Sequence, residues 1–132
     1  MIKEGTGTYT SYYPDGTSVF ETGEIENGYR TGIWRFYANM GYIITESTYA
    51  DGDLSGIQRS FYEDGTPYAE GDMVNGLKEG VWQWYHTNGI LSSSVTYSKG
   101  KKEGKQTMWD ENGRKIKEEY YKNGIFEKDE LF

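Results

Sequence analysis

The chain has 132 residues, with 21 acidic and 14 basic side chains, a formal net charge of −7, a mean hydropathy of −0.85 and no cysteine. The lack of cysteine excludes a disulfide framework and a thiolate metal site. No apolar run approaches the ~18 residues of a membrane-spanning helix, and the first residues lack the apolar core of a signal peptide, so we expect a cytoplasmic protein.

Glycines recur along the chain with a period of 24 residues. The three series are Gly28, Gly52, Gly76, Gly100 and Gly124; Gly32, Gly56, Gly80 and Gly104; and Gly41, Gly65, Gly89 and Gly113. A period of this length indicates one supersecondary unit that is stacked several times. We therefore predict a single domain over residues 1–132, with units starting near residues 7, 32, 56, 80 and 104 and a C-terminal cap at 125–132.

Each unit contains two runs of aromatic and β-branched residues, and a turn signal ends each run. Asp-Gly or Asn-Gly stands at most of these turns, and such pairs favour type I′ hairpin turns; Met40 and Lys99 are the exceptions. If the loop inside each unit has two residues, counting outward places Arg35 opposite Glu46. The same count predicts the pairs Arg59–Glu70, Tyr12–Val19, Tyr37–Ile44, Phe61–Tyr68 and Trp109–Ile116.

The first unit is one residue longer than the others, because its second run extends further between Gly16 and Gly28. A single inserted residue predicts a β-bulge, which we place near residues 21–23. This placement aligns four glutamates in one column, with Ser94 interrupting it in the fourth unit. The predicted column consists of Glu21, Glu46, Glu70 and Glu118.

The repeat resembles the MORN family. The segment Gly80-Val81-Trp82-Gln83-Trp84-Tyr85 and the segment from Gly32 to Tyr37 match the Gly-x-Trp-x-x-Tyr pattern best, and the added Glu and the 24-residue spacing are similar to the bacterial variant of the repeat. Gln58 and Gln106 stand where the pattern expects Trp. The resemblance implies an all-β fold, a single-layer antiparallel β-meander of about five hairpin repeats that is elongated and curved, and nothing catalytic.

The predicted register separates two faces of the sheet, one with Ile33, Tyr37 and Ile44 and one with repeated aromatic residues. One reading is that the aromatic residues only pack along the sheet, and this is the usual role of repeated aromatics. The alternative is that they are partner contacts, because exposed aromatics are typical interface hot spots, and Gln58, Ser60 and Gln106 interrupt the set. The candidate partner-binding aromatics are Trp34, Phe36, Tyr49, Trp82, Trp84 and Tyr97.

Charge is distributed unevenly: residues 1–76 hold 12 acidic and 4 basic side chains, whereas residues 77–132 hold 9 acidic and 10 basic side chains. An acidic surface would attract a basic partner and repel phosphate backbones and anionic lipid, so we expect no nucleic-acid binding and no direct membrane binding. The acidic residues that we add to the predicted partner site are Asp51, Asp53, Glu63, Asp64, Glu70 and Asp72.

Catalytic and metal-binding readings are weaker. Paired carboxylates could hydrolyse a glycoside, but no cleft is predicted and Arg35 and Arg59 offer ordinary partners for the glutamate column. His86 is the only histidine and follows Tyr85 near a turn, where an exposed histidine needs no function. We therefore predict no enzyme, no cofactor and no metal site.

Two functions remain open from the sequence. The first is a non-catalytic protein-binding module, and resemblance to the bacterial variant implies an antitoxin or immunity protein that neutralises a basic toxin. The second is a structural or membrane-associated scaffold, for which the only basic cluster is Lys99, Lys101, Lys102 and Lys105. Open edge strands would also permit a homodimer.

Overall fold

A computed structural model describes residues 5–132, and all of its regular structure is β. The strands are β1 (Gly7–Tyr12), β2 (Val19–Glu26), β3 (Tyr29–Tyr37), β4 (Ile43–Ala50), β5 (Asp53–Phe61), β6 (Pro67–Val74), β7 (Leu77–Tyr85), β8 (Leu91–Ser98), β9 (Lys101–Trp109), β10 (Lys115–Lys122) and β11 (Ile125–Leu131). They form one open 11-stranded sheet in chain order, and every neighbouring pair is antiparallel. The predicted all-β meander of hairpin repeats is confirmed, and the residues of the predicted C-terminal cap form the strand β11.

Two kinds of turn alternate along the chain. The turns between units have two residues, and at each of them a residue with φ near 50° precedes a glycine with positive φ, as type I′ requires. Lys99 occupies such a position with φ 50°, although lysine is not a preferred residue there. These five turns form one border of the sheet, the turn edge.

The loops inside the units lie at the opposite border, the loop edge, and they are longer than predicted. The N–H of Ala38 donates to the carbonyl oxygen of Tyr42 over 2.9 Å, which leaves Asn39, Met40 and Gly41 as a three-residue loop. Gly41 takes the left-handed conformation at φ 98°, as expected for the last residue of such a loop.

The longer loop shifts the register next to it by one residue. Tyr37 faces Ile43, so the predicted partner Ile44 is wrong, and Phe61–Tyr68 and Trp109–Ile116 are wrong in the same way. A β-bulge beyond the loop restores the count further along the strands. The pairs Arg35–Glu46 and Arg59–Glu70 are therefore confirmed, and Tyr12–Val19 is confirmed because the loop of the first unit is one residue longer.

The additional residue of the first unit lies in its loop. The N–H of Tyr13 donates to the carbonyl oxygen of Ser18, one residue further on than in the loop closed by Ala38 and Tyr42. The register is irregular near Gly23, but the same irregularity recurs in later units and adds no residue. Glu21 consequently faces Phe36, whereas Glu46 faces Arg35, so Glu21 does not belong to the predicted glutamate column.

Candidate interaction surfaces

The six candidate aromatics lie on one face of the sheet, which we call the aromatic face. Trp34 stands opposite Ser47 across the β3–β4 ladder, and Trp82 stands opposite Val95 in β7–β8. Because side chains alternate along a strand, Phe36 and Trp84 lie on the same face as these two tryptophans. The predicted division of the aromatic residues between two faces is confirmed.

Three of the six candidate aromatics are buried, namely Trp34, Trp82 and Tyr97. Trp34 is 0% exposed and Trp82 is 4% exposed, because each indole lies flat over a glycine of the preceding strand. A Cβ atom built on Gly23 would lie 2.3 Å from the Trp34 ring, and one on Gly71 would lie 2.3 Å from the Trp82 ring. The expectation of exposed tryptophan anchors is corrected at these two positions, since their rings belong to the core.

The indole nitrogen of each buried tryptophan also has a hydrogen-bond partner. Trp34 Nε1 donates to the carbonyl oxygen of Glu24 over 3.0 Å, and Trp82 Nε1 donates to that of Asp72 over 2.9 Å. Burial of a tryptophan is favourable when its N–H finds such a partner. Among the described residues no buried side-chain nitrogen or oxygen lacks a hydrogen-bond partner.

The pair formed by a glycine and the tryptophan stacked on it occurs in every second unit, and other residue pairs occupy the same positions in the units between. Ser47 faces Gln58 in the unit between the two tryptophans, while Val95 and Gln106 replace the Gly–Trp pair in the unit after Trp82. Ser93 accepts a hydrogen bond from Gln106 Nε2 over 2.8 Å. The packing on the aromatic face therefore repeats every second unit, which the 24-residue glycine period does not reveal.

The opposite face, which we call the ion-pair face, carries a row of exposed aliphatic side chains. Ile33, Ile57 and Val81 are 48%, 47% and 56% exposed. Each is the middle residue of a nine-residue strand, and mid-strand positions lie near the axis about which a sheet twists. The three side chains lie on alternate strands, at a spacing of about 9.5 Å, twice the distance between strands.

Ion pairs and shallow grooves border this row. Arg35 Nε lies 2.7 Å from a carboxylate oxygen of Glu46, and Arg59 Nε lies 3.3 Å from one of Glu70. A groove of about 230 Å³ separates Ile33 from Ile57, and one of about 180 Å³ separates Ile57 from Val81. These arginines partner the glutamates, so the geometry supplies a structural explanation for the glutamate column.

The candidate acidic residues do not converge on one surface. Asp51 and Asp53 lie at the turn edge, whereas Glu63 and Asp64 lie at the loop edge, separated by the length of β5, about 27 Å. Glu70 and Asp72 lie on the ion-pair face, so the acidic group and the aromatic group occupy different surfaces. Hydrogen bonds from Thr66, through its hydroxyl and its backbone N–H, lower the pKa of Asp64, which caps its loop.

His86 has a structural contact that the sequence reading missed. It is half-buried, and its Nε2 lies 2.8 Å from the carbonyl oxygen of Trp109 in the next unit, so this nitrogen acts as the donor. The hydroxyl of Tyr62 donates in the same way to Tyr85 O over 2.6 Å. Tyr13, Tyr62 and His86 occupy the same position of the first, third and fourth units, and this recurrence of a donor was the available signal.

The basic residues of the C-terminal half are also divided between surfaces. Lys105 and Lys115 each place Nζ 3.1 Å from the buried Glu118, and their hydrogen bonds lower its pKa. The hydrogen bond to Glu118 raises the pKa of Lys105. Lys102 lies over the ring of Tyr121 on the aromatic face, 4.8 Å from its centroid. The four lysines of the predicted basic cluster therefore do not form one patch.

The two border strands differ in charge. The strand β1 contains no charged residue, whereas β11 contains Glu127, Lys128, Asp129 and Glu130. Charged side chains on an edge strand oppose pairing with another sheet. Pairing between the edge strands of two copies stays a prediction. Because β11 is charged and β1 is not, we expect such pairing at β1.

Within residues 5–132 no group of three or more potential ligands is placed to hold a metal ion. The described residues likewise contain no helix that is long and apolar enough to cross a membrane.

An open sheet in which each hairpin pairs only with its sequence neighbours defines a repeat protein. The family model for the MORN repeat variant matches residues 54–75, 78–99 and 102–123, which together make up half of the chain, and the chain belongs to this family. No curated protein matches the chain. The hairpin formed by β3 and β4 has the same register pattern as the matched units, although it lies outside the matches. Repeats of this family suggest a non-catalytic interaction or scaffold role.

Proposed function

We propose that the protein is a non-catalytic binding module that docks a partner protein on its ion-pair face. The observation that carries this proposal is the row of Ile33, Ile57 and Val81, each about half exposed. Aliphatic side chains flanked by charged ones, here Arg59 and Asp72, are common in protein interfaces. The strands in the middle of the sheet pair with a neighbour on both sides, so a partner would bind this face through side chains.

The partner is expected to be basic. Residues 1–76 carry a net charge of −8, and acidic side chains stand at both edges beside the row. Such a field accelerates encounter with a positively charged protein. The finer proposal is that this partner is a toxin and that the protein is its antitoxin or immunity protein. It is supported by resemblance to the bacterial variant of the repeat and by the acidic half.

The experiment is capture of partners from native lysate on the immobilised protein, followed by binding kinetics with the captured protein. Ile57→Asp should raise the dissociation rate at least tenfold, because a carboxylate would replace an apolar contact and would be desolvated beside Asp72. Met40→Asp is the matched control, since Met40 is 85% exposed in a loop. Equal effects of the two substitutions would refute docking on the row.

Charge reversal tests the sign of the partner. Asp51→Lys and Asp53→Lys are suited to this purpose because Lys99 and Lys101 occupy the same repeat positions two units later. We expect the double variant to fold normally and to slow association several-fold at low salt, with less effect at high salt. An acidic partner, or an association rate that is indifferent to salt and to both substitutions, would contradict the charge argument.

The toxin proposal is tested by expressing the captured partner with and without the protein. The partner alone should stop growth, and co-expression should restore it, whereas co-expression of the Ile57→Asp variant should not. A partner that is harmless when expressed alone would refute the toxin proposal, whereas the proposal of a binding module would still stand.

The alternative function, a membrane-associated scaffold, would require a basic surface. Flotation with vesicles that contain anionic lipid distinguishes it from the proposed module. Co-flotation that is lost when Lys99 and Lys101 are replaced by Asp would favour the scaffold.

A further inference from the structure

The side chain of Lys78 lies among three aromatic rings on the aromatic face. Its Nζ is 5.1 Å from the centroid of Trp82, 5.2 Å from that of Tyr97 and 5.8 Å from that of Trp84. The Trp82 and Trp84 centroids are 6.2 Å apart, and those of Trp84 and Tyr97 are 6.5 Å apart. These rings surround the ammonium group, and we call them the Trp82 cage.

A second cage, two units earlier, is built in the same way. The guanidinium carbon of Arg30 lies 4.0 Å from the centroid of Trp34, 5.5 Å from that of Tyr49 and 6.0 Å from that of Phe36. The position equivalent to Arg30 in the unit between the two cages is Leu54, which packs beside the buried cluster. The sheet therefore contains two aromatic cages, and a side chain of the protein fills each of them.

The two cages differ in how firmly the cation is held. Arg30 is fixed by an ion pair of 2.9 Å with Glu21, which stands opposite Phe36. The equivalent position opposite Trp84 is Ala69, and no carboxylate in the described part of the chain pairs with Lys78. Lys78 is held by the rings alone, so it can leave the cage without breaking an ion pair.

We propose that the Trp82 cage is a binding site for a cationic group of a partner, a guanidinium or an alkylated ammonium, and that Lys78 occupies the site until this group displaces it. The faces of aromatic rings attract cations, and tryptophan does so most strongly. An incoming cation would regain the ring contacts that Lys78 loses. The cage floor contains Met73 and Val95 and offers no carboxylate, which favours weakly hydrated cations over a strongly hydrated ammonium.

The site goes beyond the proposed function, because it lies on the opposite face from the aliphatic row and its ligand is a chemical group. It can therefore be tested without any partner protein. Choline is a suitable probe, and its neutral isostere, in which carbon replaces the nitrogen, separates cation binding from hydrophobic contact.

The first measurement uses nuclear magnetic resonance on the unmodified protein. Choline should shift the indole N–H signals of Trp82 and Trp84 and leave that of Trp34 in place. The side-chain methylene signals of Lys78, which the surrounding rings shift in the free protein, should move toward their values in water as the lysine is displaced. The neutral isostere should produce neither change at the same concentration.

The second measurement uses two substitutions of the displaced residue. Lys78→Ala opens the cage and should tighten choline binding about fivefold to thirtyfold, the factor by which the lysine competes with the ligand. Lys78→Leu fills the cage without a charge, with the residue that Leu54 places at the equivalent position one unit earlier, and should bind choline more weakly than Lys78→Ala. This comparison separates opening of the site from simple removal of a positive charge.

The inference is overturned if choline moves neither the two indole signals nor the Lys78 signals at saturating concentration, or if the folded Ala and Leu variants bind it equally. The measurement on the unmodified protein decides the matter if the Ala variant does not fold. A failure of choline to bind would leave the proposal of docking on the ion-pair face unaffected. Loss of that docking would likewise leave the proposal of the Trp82 cage unaffected.

Discussion

The stacking of Trp82 on Gly71 gives the sharpest prediction about stability. A Cβ atom at position 71 would lie 2.3 Å from the indole carbons, over 1 Å closer than the 3.4 Å at which ordinary contact begins. Gly71 has an ordinary backbone conformation, so any cost of a larger residue arises from this overlap alone. The ring would have to leave a site in which it is only 4% exposed.

The magnitude follows from the burial of the indole. Full burial of a tryptophan contributes about 4–6 kcal/mol. Its displacement also breaks the hydrogen bond to Asp72, for about 1 kcal/mol. Because part of the ring would stay in contact with the sheet, we expect Gly71→Val to lower the free energy of unfolding by about 3 kcal/mol and the melting temperature by about 10 °C.

The chain itself supplies the compensating substitution. Val95 and Gln106 occupy the positions of Gly71 and Trp82 one unit later, so Gly71→Val combined with Trp82→Gln reproduces a pair that the fold already accepts. Trp82→Gln alone should cost about 3 kcal/mol through the cavity it leaves. The double variant should be more stable than the sum of the two single effects by at least about 2 kcal/mol. Urea denaturation followed by circular dichroism measures all four proteins, and additive effects would refute the stacking.

Three further outcomes are expected from thermal denaturation. Lys99→Asn should raise the free energy of unfolding by about 0.5 kcal/mol, because asparagine tolerates the left-handed conformation of this turn better than lysine; a lower melting temperature would contradict the turn assignment. The lowered pKa of Glu118 means that its stabilisation is complete above its ordinary value of about 4.3 and is lost as the pH falls through the lowered value. Glu118→Gln should therefore flatten the acid side of the stability profile, and an unchanged slope would show that its lysine partners contribute nothing. His86→Phe should cost about 1 kcal/mol through the lost bond to Trp109, while His86→Tyr should be tolerated, since Tyr62 makes the equivalent contact; equal losses would show that the bond is unimportant.

Part of the site was accessible to sequence reasoning. The alternation of side chains along a strand was enough to separate the aromatic face from the ion-pair face, because this period does not depend on how the units pack. Pairs far from a loop, such as Arg35–Glu46, were also predicted correctly. Pairs next to a three-residue loop, such as Tyr37–Ile44, were wrong, because the loop is one residue longer than the count assumed and a bulge restores the register only further along the strands.

The sequence by itself determined the repeat, the strands and the turns between units. A glycine at a left-handed turn position and the alternation of side chains along a strand depend only on residues within the same unit, so each can be recognised locally. Burial required the tertiary structure. Whether Trp34 is an exposed anchor or a core residue depends on what lies beneath it, and Gly23 is brought under it only when β2 and β3 pair. The same holds for Lys78, since the ring of Tyr97 comes beside its charge only across the β7–β8 ladder. Contacts between strands are long-range in sequence, and on this sheet they decide which aromatic rings are core and which are open to a ligand.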